Sequence, residues 1–219
     1  MKHLFTLYFF LLVVLSASSQ PYRSTLDAAL DKLRQSNIDS IICYTPFQPG
    51  YVPMDTAQYE IQYSFYLFWK KEKDVFIMKA ANCYGINGRG SFDTVFNSVL
   101  SPDQEIYKEI VNNLELLKVQ KVKPPLVKYN TGLRDTISEI RSSHPGYTEI
   151  RFIWGINEID NWYTYDHIDD FHFRDQEGNI KIFQENVNRE YNISTFVYKM
   201  TQKLSGIIDS LESKKAFED

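Results

Sequence analysis

Cysteine is nearly absent: Cys43 and Cys83 are the only two in 219 residues. They allow a single bridge, which would close a loop of about 40 residues and stabilise the fold by about 4 kcal/mol on a chain-entropy argument. Two buried, reduced thiols are the other reading. No histidine lies near either cysteine in sequence, so neither has the surroundings of a nucleophile. Signature motifs are missing too. There is no Gly-x-Ser-x-Gly elbow and no His-Glu-x-x-His, which removes the commonest serine-hydrolase and zinc-protease signatures. No internal repeat is present. Basic charge is not in excess either: 24 Lys and Arg face 28 Asp and Glu, a net charge of −4. That balance gives no electrostatic reason to bind nucleic acid or an anionic membrane.

Long apolar runs are also lacking. The longest mostly apolar stretch, Leu4 to Leu15, has 12 residues, short of the roughly 20 needed to cross about 30 Å of hydrocarbon. Its setting is that of a secretory leader: Met1-Lys2-His3 before it and Ser16-Ala17-Ser18-Ser19-Gln20-Pro21 after it. Positive, apolar and small-residue segments follow one another in the order that export requires. With Ala17 and Ser19 at the minus-three and minus-one positions, cleavage is expected after Ser19, because a cut after Gln20 would place Pro21 at the scissile bond. No cysteine stands near this point to accept a lipid, so the expected product has no stable membrane anchor. It starts at Gln20 and forms one domain over residues 20–219, secreted or periplasmic. Export also makes the Cys43–Cys83 pairing more credible.

Aromatics, by contrast, are abundant, with 15 Tyr, 15 Phe and 3 Trp. Such residues suit both strand faces and wet binding surfaces. Hydrophobic and charged fractions of 43% and 24% are those of a folded globular chain. Ser24-Thr25-Leu26-Asp27 opens a helix carrying Leu26, Ala29, Leu30 and Leu33. Asp39 to Thr45 reads as a buried strand, followed by a proline-rich loop. Tyr59 to Lys70 alternates regularly, with its second half apolar on both faces, and Val75 to Ala80 returns as its partner. A helical turn is expected around Phe92 to Leu100. Ser101-Pro102-Asp103-Gln104 then starts a helix with Ile106, Ile110, Val111, Leu114 and Leu117 as its buried stripe. The charges at Lys118 to Lys123 with Pro124-Pro125 end it and mark a candidate subdomain boundary.

Leu133, Ile137 and Ile140 predict another short helix. Thr148 to Ile156 alternates with Ile150, Phe152, Trp154 and Ile156 on one face. A hairpin turn at 175–179 leads into Ile180 to Phe183, and a long C-terminal helix runs to about Leu211, with a frayed end from Glu212. Paired strands grouped apart from helices define an α+β class: a mostly antiparallel sheet covered by several helices on one side.

Three constellations carry candidate chemistry. Asp166, His167, Asp169, Asp170, His172 and Asp175 crowd into ten residues, and His167, Asp170 and His172 are of ligand types that hold a divalent metal. The same cluster, as Asp166, His167, Asp170 and His172, would be the centre of a metal-dependent or acid-base hydrolase, with His144 as the remaining histidine beyond the leader. Trp162, Tyr163 and Tyr165, near Trp154, Asn157 and Glu158, form a candidate platform for a glycan or a protein partner. Glu158 with Asp166 or Asp170 is a nominal pair for glycoside hydrolysis. Gly85 to Ser91, with Arg89, matches no nucleotide fingerprint. Asn192-Ile193-Ser194 is formally a glycosylation sequon. The reading that follows is an exported, non-catalytic domain that binds a protein or glycan, with the hydrolase as the alternative.

Overall fold

A computed structural model describes residues 21–46, 59–85, 91–130, 135–139, 146–174 and 180–218. The expected proline-rich loop, the glycine segment with Arg89, and His144 lie largely outside these residues.

The described residues open with helix α1 (Pro21–Gln35). Thr25, Leu26, Ala29, Leu30 and Leu33 recur at helical spacing and are all buried. Its end is a Schellman cap: Asn37 takes φ 59°, and the Asn37 and Ile38 amides return to the carbonyls of Arg34 and Leu33 at 2.9 and 3.0 Å. Asparagine tolerates this left-handed position at little cost, and Ile38 folds back onto Leu33.

Six strands form the main sheet: β1 (Ser40–Thr45), β2 (Tyr59–Lys71), β3 (Asp74–Gly85), β4 (Ser91–Leu100), β7 (Tyr147–Trp154) and β8 (Asn157–Thr164). Their order is β4-β3-β2-β1-β7-β8 and every pairing is antiparallel. Two hairpins stand apart, β5 (Leu126–Asn130) with β6 (Asp135–Glu139), and β9 (Phe171–Arg174) with β10 (Ile180–Gln184). The α+β class and antiparallel sheet therefore stand, but helices lie on both faces of it, where one covered face was expected.

On one face α1 packs on Ile41, Phe65, Leu67, Trp69, Met78 and Ala80. On the other, α2 (Ile106–Asn112), α3 (Leu114–Val119) and α6 (Phe196–Glu212) pack on Ile42, Tyr66, Phe68, Ile77, Ile150 and Phe152. This is why Ser64 to Trp69 is buried at every position. A strand covered on both sides loses its polar alternation. Each large side chain so enclosed contributes about 1.5–3 kcal/mol.

Several expectations are corrected. Phe92 to Leu100 is edge strand β4, with a bulge opposite Met78 and Ala80; its β-branched and aromatic content outweighs a helical spacing. The 137 region is strand β6, because pairing with β5 overrides a three-residue apolar spacing. Helix α2 starts at Ile106, since Asp103 Oδ1 accepts the amides of Glu105 and Ile106 at 2.9 and 3.1 Å. Ile156 does not continue the β7 face: Gly155 takes φ 58° and Ile156 stands fully exposed at the hairpin tip. The C-terminal helix is divided at Thr195 into α5 (Arg189–Ser194) and α6.

The segment after Glu212 is ordered. Lys215 (φ 55°) makes a second Schellman turn, and Phe217 is buried with its ring centroid 5.8 Å from that of Tyr66. Beneath it Lys79 pairs with Glu212 at 2.9 Å, and Tyr66 donates to Glu212 at 2.7 Å. The Cys43–Cys83 bridge is corrected too: Cys43 is a free, buried thiol. It opposes Leu67 in β2, whereas Cys83 in β3 opposes Ile61. Six residues along and two strands across is about 20 Å, far beyond the roughly 7 Å that a disulfide spans. Burial pushes the Cys43 thiol up to about 12, which leaves it inert. Among the described residues no helix is long and apolar enough to cross a membrane.

Candidate functional site

Strand parity distributes the candidate residues. In β8, Trp162 opposes Glu149 and Tyr163 opposes Thr148, so Trp162 and Tyr163 emerge on opposite faces. Tyr163 is turned into the core, 3% exposed, with its hydroxyl 2.7 Å from that of Thr201 on α6. Trp162 is 50% exposed and Tyr165 is 56% exposed. Around Trp162 lies a shallow groove of about 340 Å³ lined by Tyr147, Glu149, Arg151, Trp162 and Thr164. Arg151 bonds Glu149 at 2.7 Å and lies 3.8 Å from Glu158 on the adjoining strand. Glu149 and Arg151 are both largely buried, so their planar polar groups are fixed in orientation. Thr45, at the end of β1 beside Glu149 in the register, is buried.

Within the histidine and acid cluster, the described residues His167 and Asp170 hold backbone amides. After β8 the chain makes one helical turn, α4 (Tyr165–Ile168). His167 Nδ1 accepts the Thr164 amide at 3.2 Å and lies 2.7 Å from the Thr164 hydroxyl. An amide can only donate, so Nδ1 carries no proton and the imidazole is the Nε2–H tautomer. This is a reciprocal cap with histidine where glutamate or glutamine is usual. Asp170 Oδ1 accepts the Asn186 amide at 2.9 Å, and its other oxygen lies 3.6 Å from Arg189. The backbone carbonyls of Asp166 and His167 accept from the side-chain Nδ2 of buried Asn186, at 3.0 and 3.1 Å.

His167 also meets Trp162 edge-on at 6.0 Å between centroids. Strand β8 is a sheet edge, and its outward groups are blunted by His167 on the Thr164 amide and by Lys121 Nζ on the Asp160 carbonyl at 2.8 Å. Among the described residues no group of three or more His, Cys, Asp or Glu converges as a metal site. The His172 side chain, His144 and Asp175 lie outside the described residues.

No family model, curated protein or solved structure matches this chain.

Sequence reasoning missed the asparagines. Asn161, Asn186 and Asn192 are buried and clip backbone segments together. Asn161 donates to the carbonyls of Leu117 and Gln120 at 2.9 and 3.0 Å. Asn192 donates to the carbonyls of His167 and Lys123 at 2.8 and 2.9 Å and accepts the Lys123 amide at 2.9 Å. The Lys118 to Pro125 stretch, read as a candidate boundary, is thus stapled to α5. Asn192 is also 0% exposed, so its sequon is closed to a glycosyl donor in the folded chain. Only their position between paired elements could have flagged these residues.

Burial holds the His167 pKa below the ordinary imidazole value, against the opposing pull of Asp166 on its own turn and Glu139 on β6. The unfolded chain therefore takes up this proton more readily. The stabilisation is complete above about pH 6.5 and is lost as pH falls below it. His167→Gln keeps an acceptor for the Thr164 amide but cannot titrate. Melting temperature measured from pH 7.5 to 5 should fall less steeply for His167→Gln than for the wild type, and parallel curves would show that His167 is not coupled to folding.

Proposed function

We propose that the protein is an exported, non-catalytic domain starting at Gln20 that binds a glycan on the outer face of β7 and β8. The observation that carries this reading is Trp162, half exposed beside Tyr147 and above a largely buried Glu149–Arg151 pair. A flat aromatic ring receives the C–H face of a sugar, while the carboxylate accepts and the guanidinium donates hydrogen bonds to hydroxyls. Both polar groups are held by their ion pair, so little side-chain entropy is lost on binding.

A groove of about 340 Å³ lined by five residues suits one or two sugar units. A stable protein interface takes about 800 Å² from each partner, which favours the glycan over a protein. The hydrolase alternative has less support. His167 and Asp170 are engaged with backbone amides, and Glu149 and Glu158 flank one guanidinium on a single sheet face. Glycoside hydrolysis needs two carboxyls facing each other across the scissile bond. Export rests on the organisation of residues 1–20.

Titration of the protein with a panel of soluble oligosaccharides, followed by tryptophan fluorescence, tests this reading. Saturable binding to at least one member is expected, abolished by Trp162→Ala and retained by Tyr163→Phe. No saturable binding across the panel, or binding undiminished in Trp162→Ala, would contradict it.

A further inference from the structure

A second cleft lies at the opposite corner of the same sheet face, beneath the C-terminal end of α1. Register places the two apart: Trp69 and Ile153 oppose Ile41 at one end of β1, whereas Glu149 opposes Thr45 at the other. The cleft encloses about 380 Å³ between α1 and strands β2, β3 and β4, within the size range of small-molecule sites. Its floor is apolar. Trp69 and Phe76 stack across the β2–β3 pair with centroids 5.8 Å apart and planes 18° apart, and Met78 continues that floor. Leu33 and Ile38 form the helix side.

The rim is polar, with Lys32 and Lys71 and the uncharged Ser36, Asn97 and Ser98, and no carboxylate among the lining residues. Asp74, opposite Lys71 in the register, lies outside the lining. Two cations without an acid run against a chain whose net charge is −4. The partial negative charge of a helix C-terminus would oppose an anion here. The Asn37 and Ile38 amides, however, already occupy the Arg34 and Leu33 carbonyls, and Lys32 stands in that last turn.

The bulge that builds this corner is the same one that corrected β4. Met78 opposes Ser98 and Ala80 opposes Val95, so two residues, Phe96 and Asn97, face the single Lys79. The extra residue bends the edge strand and carries Asn97 and Ser98 to the rim.

We infer that this cleft binds a small organic carboxylate, its apolar body against Trp69, Phe76 and Met78 and its charge between Lys32 and Lys71. An apolar floor with a two-lysine rim selects an amphiphile of that sign over its neutral counterpart, because the alcohol of the same shape buries the same area but leaves the rim charges unanswered.

The test is calorimetric titration of the full mature protein with 4-phenylbutyrate and, as the neutral probe, 4-phenylbutan-1-ol. Saturable carboxylate binding at one site, tighter than that of the alcohol, is expected. Lys32 and Lys71 are exposed, so Lys32→Glu/Lys71→Glu should fold normally and weaken the carboxylate at least about tenfold while leaving the alcohol unchanged. Ser98→Trp, which fills the mouth from an exposed position, should weaken both probes, whereas Trp162→Ala should change neither. The inference is overturned if the carboxylate does not bind saturably, if the alcohol binds as tightly, or if the double variant binds the carboxylate unchanged.

Discussion

Replacing Asn192 with alanine is expected to lower the unfolding free energy by about 4 kcal/mol, read from urea denaturation at neutral pH. The residue is 0% exposed, and its amide closes three hydrogen bonds, to both backbone groups of Lys123 and to the carbonyl of His167. Truncation leaves these groups without a partner where water has little access, and each orphaned group costs about 1–3 kcal/mol. Asn192→Asp should be at least as damaging. A carboxylate cannot donate, so it would face two carbonyls. The effect should also reach the candidate glycan site, because the same asparagine holds the turn from which His167 supports Trp162. Hydrogen exchange at Thr164 to Asp170 should accelerate in the variant. A loss below about 1 kcal/mol would mean that water or neighbouring groups replace the clip.

The second large effect concerns the sheet. Phe65 and Phe68 stand three residues apart in β2, both 0% exposed, one against α1 and the other against the α6 layer. Phe65→Ala and Phe68→Ala should each cost about 4 kcal/mol, since truncating a buried phenylalanine removes transfer energy and leaves a cavity. A sheet covered on one side only would make one of the two nearly neutral. Comparable losses from both therefore establish the two-sided core, and a loss below about 1 kcal/mol at Phe65 would remove α1 from it.

Much of this architecture was legible because periodicity and burial agree. The α1 stripe of Leu26, Ala29, Leu30 and Leu33, the β2–β3 hairpin and the α6 stripe all follow from local pattern. The doubly apolar stretch from Phe65 to Trp69 was legible as a strand, but the second covered face, where one was expected, came from the packing of α1. What the pattern could not supply was pairing over long range. Strand β4 and strand β6 carry ambiguous spacings that their neighbours decide. Phe217 follows charged residues that resemble a frayed tail until a left-handed Lys215 turns it inward.

The site was only half readable, for two separate reasons. Alternation along β8 is by itself enough to put Trp162 and Tyr163 on opposite faces. The crowding of Asp166 to Asp170, by contrast, is chemically indistinguishable from a ligand set until one sees which backbone amides the side chains accept. Short polar residues at the junction of a strand, a single helical turn and a hairpin are what a chain needs to cap its own ends.

The most direct measurement of the central claim is an amide chemical-shift map of the isotopically labelled protein titrated with the oligosaccharide that gives saturable binding. The largest shifts are expected on Tyr147, Glu149, Arg151, Trp162 and Thr164, with smaller ones passing through His167. Shifts centred on Asp166, Asp170 and His172, with Trp162 unmoved, would contradict that claim and return the polar cluster to the centre of the function.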